Sequence, residues 1–546
     1  MAEHAKKLAR DEKMMATTCR DRYPSAKQFL EPDMQLDRSI VATIAVSVLV
    51  FSIPVYQAFN FVDQDAYIYF VFFKNFFSLP FSYQPSQVAH GATSPLQVLV
   101  FAPVFHLFGD YWLTVAKLVN YALVFFGVCL VHCASGVRFS FLPLSVAAIA
   151  MFSPLFLYTA TMFETGVAFF LVSLLINSWN RSNSVGVALS AGLLHLARPE
   201  LALVTICVVV ALAWRTRRLN LGLWIAASVP IIAFYTYMWA SGAGLLPTSV
   251  IGRAILAIEN KSSWYEKITS IVTMEYVWPY LVVVPTLVVA MVLRFTNSLI
   301  CAAVIVPIVA LYTVFPPGYA YYVPRYLIPI IPAFLMCFLI VSRAIVGKTD
   351  PNIVSQAGPV AAGIAALFTI AVSPAKATPA YDYDTIFQKD LAEAVRGIVK
   401  PESRALMYEI QGQYYFPAHT VSADGIVGRE AHKFLRGEEA FDSFVERETI
   451  DFIVTFDGFA YRPIYKGTPL VDLFRHDMTA NVGDRITIGA HTYEKVVANP
   501  EANDPALYSN LSAQDLNYGS TLRVFGPHKT VGAGQLIQWN SVYKKL

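Results

Sequence analysis

The sequence predicts an all-α polytopic membrane domain of about eleven transmembrane helices, followed by a soluble α/β domain. Three observations predict it. Hydrophobic residues make up 56% of the 546-residue chain and charged residues only 14%, where a soluble domain carries about 25% charged residues. The shortage of charge is concentrated between residues 40 and 375, where apolar runs follow one another. Beyond residue 375 charge returns and the apolar runs become short. The net charge of +3 is spread without a basic stripe, which excludes a nucleic-acid-binding protein. No cysteine falls after residue 375, so the C-terminal region has no disulfide framework.

Residues 1–38 are polar, carry both signs of charge and show no cleavage pattern, so they read as a cytoplasmic tail rather than a signal peptide. Within 39–375 the candidate spans are 40–59, 112–133, 140–160, 163–179, 184–197, 199–214, 221–241, 277–294, 297–315, 326–346 and 357–373. Several fall short of the roughly 20 residues a straight helix needs to cross, so broken or tilted helices are expected among them. The apolar run 95–108 is also too short. Basic residues set the orientation. Arg215, Arg217 and Arg218 form the strongest cluster, Arg343 and Lys348 a second, and Arg138, Arg181 and Arg294 are single markers. All of them face the cytoplasm if 95–108 lies re-entrant or interfacial and makes no net crossing. The outer side then collects 60–95, the turn near Glu164, Arg198-Pro199-Glu200, the loop 242–276, the turn 316–325 and the whole of 376–546. In that last region strands are expected at 405–410 and 451–456, helices at 390–399 and 430–446, and a hinge at 374–379.

The stretch 60–96 organises the chain, because it sets Asp63-Gln64-Asp65-Ala66-Tyr67 between two apolar runs. Carboxylates at a membrane boundary are costly to desolvate. One of the pair can serve as general base toward a hydroxyl acceptor while its neighbour binds the acceptor or a metal; a hydrated helix cap is the other reading. In His90-Gly91-Ala92-Thr93-Ser94-Pro95-Leu96, Thr93 or Ser94 can cap a helix with Pro95 in its first turn. Such an N-terminus can receive a phosphate or be a capped start and nothing more. His90 is a phosphate contact or a surface histidine. Glu164 and Glu200 are isolated carboxylates between apolar runs, and Arg198 sits beside the second. An Arg–Glu pair in a membrane holds helices together, and an arginine equally meets a lipid phosphate. The loop with Leu246-Pro247-Thr248-Ser249, Arg253, Lys261 and Lys267 suits a lipid-phosphate head or plain head-group contact. Arg325, in Pro324-Arg325-Tyr326, runs against the outer-side charge bias and needs an anionic partner: a phosphate, or a carboxylate such as Glu164.

Taken together and in order, these motifs resemble those of the C-type, polyprenyl-phosphate-dependent membrane glycosyltransferases, and among them bacterial members related to the mycobacterial arabinofuranosyltransferases. The family's Asp-Asp-Ala-Tyr is similar to Asp65-Ala66-Tyr67, with Gln64 in place of the first Asp and Asp63 one position earlier. Its Arg/Lys-Asn pair looks like Lys74-Asn75, and its Thr-Ser-Pro-Leu like Thr93-Ser94-Pro95-Leu96. Its Gly-Met-Glu-Thr turn resembles Met162-Phe163-Glu164-Thr165, and its Thr-Arg-Pro-Glu resembles Ala197-Arg198-Pro199-Glu200. Its Leu-Pro-Asn-Thr loop looks like Leu246-Pro247-Thr248-Ser249, its Arg-Tyr-x-x-Pro like Arg325-Tyr326 to Pro329, and an Asp-x-x-Gly-like turn like Ala423-Asp424-Gly425.

The resemblance implies a C-type architecture in a bacterial inner membrane and an inverting transfer on its non-cytoplasmic face. The donor would be a polyprenyl-phosphate-linked sugar delivered from the membrane lipid. The acceptor would be an envelope glycan, glycolipid or protein. Asp65, with Asp63 beside it, would be catalytic; Arg198, Arg325, Lys74 and His90 would bind the donor phosphate; Tyr67, Glu164, Glu200, Thr93 and Ser94 would bind substrate. With two arginines available no metal or other cofactor is expected. Two other classes share part of this pattern. A transporter or flippase of a lipid-linked sugar would use the same helices and cationic site, but inverted repeats are absent from the sequence. A membrane scaffold has no need of Asp65, Arg198 and Arg325 together.

Overall fold

The computed structural model describes residues 38–62, 65–84, 87–218, 220–248, 251, 263–273, 277–316, 323–346, 367, 395, 397–407, 414–416, 419–423, 430–455, 472–473, 482–497 and 542–546. Asp63, the loop residues Ser249, Arg253 and Lys261, the span 357–373 apart from Leu367, the hinge 374–379 and the turn at Asp424-Gly425 lie outside these residues.

The membrane half is a helix bundle. Its helices are α1 (Arg38–Ala58), α2 (Ala66–Asn75), α3 (Pro95–Leu107), α4 (Trp112–Ser135), α5 (Leu142–Ala150), α6 (Ser153–Ala160), α7 (Thr165–Asn180), α8 (Ser184–Ala197), α9 (Ala202–Thr216), α10 (Leu221–Ala240), α11 (Trp264–Val272), α12 (Trp278–Leu281), α13 (Val283–Leu293), α14 (Phe295–Val314), α15 (Val323–Leu327) and α16 (Ile331–Val346). Side-chain caps start several of them: Ser94 accepts from Gln97 N, Asn183 from Gly186 N and Asn220 from Leu223 N. Among the described residues six helices are long and apolar enough to cross a membrane, or seven if one bent pair counts as a single span. The rest of the eleven expected spans that are described are short or broken. The span 140–160 is that bent pair, turned by 82°, and Pro154 explains it, since it lacks the N–H that would carry the helix through. Likewise 277–294 breaks at Val282, where Pro285 withholds the bond to Leu281.

The helices α4, α7, α8, α9 and α16 pack side by side through a continuous apolar core. Small residues let α4 and α7 approach closely. A Cβ on Gly127 would lie 2.8 Å from the Phe169 ring, and one on Gly166 would lie 2.6 Å from the backbone oxygen of Asn120.

The basic markers gather at one end of this bundle. Arg343, near the end of α16, donates to the Ser135 carbonyl at the end of α4 (3.0 Å). Arg215, at the end of α9, donates to the Trp179 carbonyl at the end of α7 (2.7 Å) and to Ser182 (2.8 Å). Trp179 in turn donates to the Thr296 carbonyl at the start of α14 (3.1 Å). The other ends of α7, α8, α9 and α16 are the turn at Glu164, Arg198, the Pro199–Leu201 turn and the Arg325 segment. The basic markers and the acid–arginine motifs of the membrane half therefore occupy opposite ends.

The C-terminal region holds strands β3 (Arg404–Met407), β4 (His419–Ser422), β5 (Phe452–Val454), β6 (Arg485–Ile488), β7 (His491–Val497) and β8 (Val542–Lys545); β1 (Ser82–Gln84) and β2 (Gln87–Val88) are a separate short hairpin near α2. The larger sheet has the order β4-β3-β5-β8-β7-β6, parallel across its first three strands and antiparallel across the rest. Strand alternation gives it a core on each face. Leu406 and Ile453 enter one, with Phe434, Phe441 and Phe444; Ala405, Met407, Phe452 and Val454 enter the other, with Phe416. The helix expected at 430–446 is two, α17 (His432–Leu435) and α18 (Phe441–Arg447), separated by Gly437 at φ +72°. The α/β character expected of this region is present.

Candidate active site

Asp65 stands at the start of α2, and its side chain makes no capping bond. It is instead 3.6 Å from Arg325 Nη1, with 22% of the side chain exposed. Below it the aromatic face of α2 is buried, and the Tyr69 hydroxyl, one helical turn on, donates to Glu164 Oε2 at 2.9 Å and pairs with the Thr93 hydroxyl at 2.7 Å.

Glu164 is held in a turn that the surrounding helices over-determine. Asn120 of α4 donates to the carbonyls of Thr159 (2.9 Å) and Phe163 (3.3 Å). Gln97 of α3 donates to the Met162 carbonyl at 2.8 Å. Met162 itself sits in the left-handed region at φ +62°, a conformation costing roughly 1–2 kcal/mol for a side chain other than glycine. Its complete burial offsets that cost. The result aims a carboxylate with 2% exposure at two guanidiniums: Arg325 Nη2 at 3.2 Å and Arg198 Nη1 at 3.5 Å.

Arg198 ends α8 in extended backbone, as expected of a residue before proline, and the Pro199–Leu201 turn carries Glu200 back to its Nη2 at 2.6 Å. Tyr312 of α14 donates to the same glutamate at 3.1 Å. Arg198 also donates to the Arg325 carbonyl at 2.9 Å and lies over the Tyr326 ring. Arg325 packs on the Phe163 ring, 3.6 Å from its centre. Its Nε and Nη1 are buried and have no hydrogen-bond partner among the described residues.

The structure thus joins Asp65, Glu164, Arg198, Glu200, Arg325 and, through Tyr69, Thr93. Of the partners expected for Arg198 and Arg325, the carboxylates Glu200 and Glu164 are in contact with them in this structure. Other expected site residues are engaged elsewhere. Ser94 caps α3 and reaches the Leu196 carbonyl at 3.5 Å. His90, buried between Phe234 and Tyr235, has Nδ1 3.1 Å from the Gly244 carbonyl; it is not a surface histidine. Thr248 of the Leu246-Pro247-Thr248 motif donates its N–H to the His90 carbonyl at 2.8 Å. Lys74 lies nine residues past Asp65, about 13 Å along the helix. It donates to the Tyr414 carbonyl at 3.4 Å, with Nζ 5.6 Å from that ring. Tyr67 meets the Tyr415 hydroxyl at 3.3 Å, so the soluble domain reaches α2 directly. Burial pushes the Tyr414 phenol up to about 12, so it stays neutral there.

Sequence reasoning missed Tyr69, Tyr312, Gln97, Asn120 and Lys117. Tyr69 carried a usable signal, its i+4 spacing from Asp65; the amides and the lysine stood out only as polar residues within apolar runs.

No family model and no curated relative matches the sequence. Solved structures do match: ArnT from Cupriavidus metallidurans, bound to undecaprenyl phosphate and in the apo state. Each has a TM-score of 0.50 and 15% identity, covering 77% of this chain and 93% of that one. The likeness is one of fold, and it agrees with the polytopic architecture expected from the motifs. The chain is an integral membrane protein with the fold of ArnT.

Proposed function

We propose that this protein is an inverting glycosyltransferase. It moves a sugar from a polyprenyl-phosphate donor to a hydroxyl of an envelope glycan, glycolipid or protein on the non-cytoplasmic face of a bacterial inner membrane. One observation carries the reading: a partly open carboxylate, Asp65, lies 3.6 Å from a buried arginine that has two donor nitrogens unpartnered by hydrogen bonds among the described residues. The ArnT fold supports it, because ArnT is seen with undecaprenyl phosphate bound.

The chemistry follows from the charges. Asp65, Glu164 and Glu200 face Arg198 and Arg325, so carboxylates outnumber guanidiniums by one in this cluster. An arriving lipid phosphate competes with Asp65 for Arg325, since Glu164 and Glu200 are already tied by closer contacts. Asp65, partly exposed and released from that contact, is then free to face the acceptor. It then takes the proton from the acceptor hydroxyl as that oxygen attacks the anomeric carbon from the face opposite the phosphate. The phosphate leaves with the pair of electrons, and the guanidiniums stabilise its charge. This assigns the leaving-group charge to Arg325 and Arg198, with no metal in the step. Lys74 and His90 then have supporting roles, Lys74 at the contact with Tyr414 and His90 under the loop at Gly244.

Titration of the purified protein with undecaprenyl phosphate tests the reading. Saturable binding is expected, weakened at least about tenfold in Arg325→Lys, which keeps a cation but loses the planar fork. Binding equal in both proteins would contradict it.

A further inference from the structure

We propose that Lys117 and Asn120, one helical turn apart on α4, are positioning residues that set the base and the clamp of this site against one another; this rests on the functional reading above. Lys117 is 4% exposed, inside a helix long and apolar enough to span a membrane. A buried intramembrane cation is costly and marks a function by default. Its Nζ donates to the carbonyls of Phe59 at 2.5 Å and Phe61 at 3.3 Å, and lies over the Phe59 ring. Those carbonyls follow directly on the C-terminus of α1, where a cation also meets the negative end of the helix dipole. In the sequence they precede Asp65 by six and four residues. Asn120 does the same for the other half of the site, through the carbonyls of Thr159 and Phe163 beside Glu164. Tyr121, on the same face, donates to Phe156 (2.9 Å) and anchors α6, which enters that turn. One rigid helix therefore grips two segments that are distant in sequence, and their spacing is set by the rise of α4. Both residues hold backbone carbonyls beside the site, and they act through that backbone.

Hydrogen exchange on purified Lys117→Met and Asn120→Ala separates this role from general stability. K117M is expected to speed exchange at 59–62 by about tenfold or more while leaving 159–166 near wild type, and N120A to do the reverse. In transfer from polyprenyl-phosphate-sugars, both are expected to lower kcat about 10–100-fold, the cost of a misplacement near 1 Å. The half-saturating donor concentration should change less than about threefold in K117M, whose contacts lie on the Asp65 side, and should rise in N120A, where the loosened Glu164 pairs both arginines. Lys117→Gln, which keeps a donor on a shorter arm, should fall between wild type and K117M; it carries the test if K117M does not fold. Equal loosening of both segments, or unchanged exchange at 59–62 in the Lys117 variants, would overturn the proposal. If wild type neither transfers sugar nor binds undecaprenyl phosphate, the enzymatic reading fails and with it the role in catalysis, while the exchange pattern still decides what Lys117 holds.

Discussion

Asp65 and Glu164 are both carboxylates beside Arg325, yet burial gives them different work. Glu164 is 2% exposed and receives Tyr69, Arg198 and Arg325. Removing its charge leaves two buried guanidiniums short of a counter-charge, so Glu164→Gln should cost about 3–5 kcal/mol of stability. Asp65 is partly exposed at a longer distance, so Asp65→Asn should shift stability by less than about 1 kcal/mol. Thermal unfolding of the two variants in detergent checks the split: a clear drop for E164Q and almost none for D65N. Much of this site was legible in the sequence, because a charge inside an apolar run is an anomaly that a membrane does not tolerate without cause. Its pairings were not legible. Whether Arg325 meets a phosphate or Glu164 depends on a turn built by Asn120 and Gln97, which reach it from other helices. Tyr69 stood out less for the opposite reason: in a run as aromatic as that of α2 one more tyrosine is no anomaly, and only its i+4 spacing from Asp65 marks it.

The element that fixes this geometry is the pair α4 and α7. Their close approach depends on hydrogen at Cα of Gly166, since a methyl there would meet both the side chain and the backbone of Asn120, at 2.1 and 2.6 Å. Backbone cannot swing aside as a flexible side chain can. Gly166→Ala should therefore cost about 1–3 kcal/mol through overpacking and displace Glu164 with it. Chemical or thermal unfolding of G166A against wild type measures the first effect. Helix positions were readable from hydropathy, and helix continuity was not. The runs at 140–160 and 277–294 have the length of a span, but Pro154 and Pro285 divide them. Prolines elsewhere, such as Pro54 in α1 and Pro230 in α10, sit inside unbroken helices. Composition alone does not tell these cases apart, because neighbouring helices decide whether the lost hydrogen bond is tolerated.

Across the whole molecule, the acidic and arginine motifs lie at one end of the bundle and the basic markers at the other. The soluble domain meets the first end through Tyr414 and Tyr415. The retention of positive residues on the cytoplasmic side predicts that the site faces outward. Cysteines placed at Tyr111 and Arg217, in a background lacking native cysteines, test this in intact spheroplasts: a membrane-impermeant thiol reagent should label the first and spare the second. The soluble domain's α/β class was readable from its alternating short runs, whereas its contact with α2 rests on two tyrosines in a chain rich in them. The central claim is that Asp65 draws the acceptor proton while the arginines hold the leaving phosphate. The release of free polyprenyl phosphate from polyprenyl-phosphate-sugars in membranes, measured for wild type and D65N, tests it most directly. A loss of about 10²–10⁴-fold in D65N, with undecaprenyl phosphate still bound, is the predicted result. Release at an undiminished rate in D65N would contradict it.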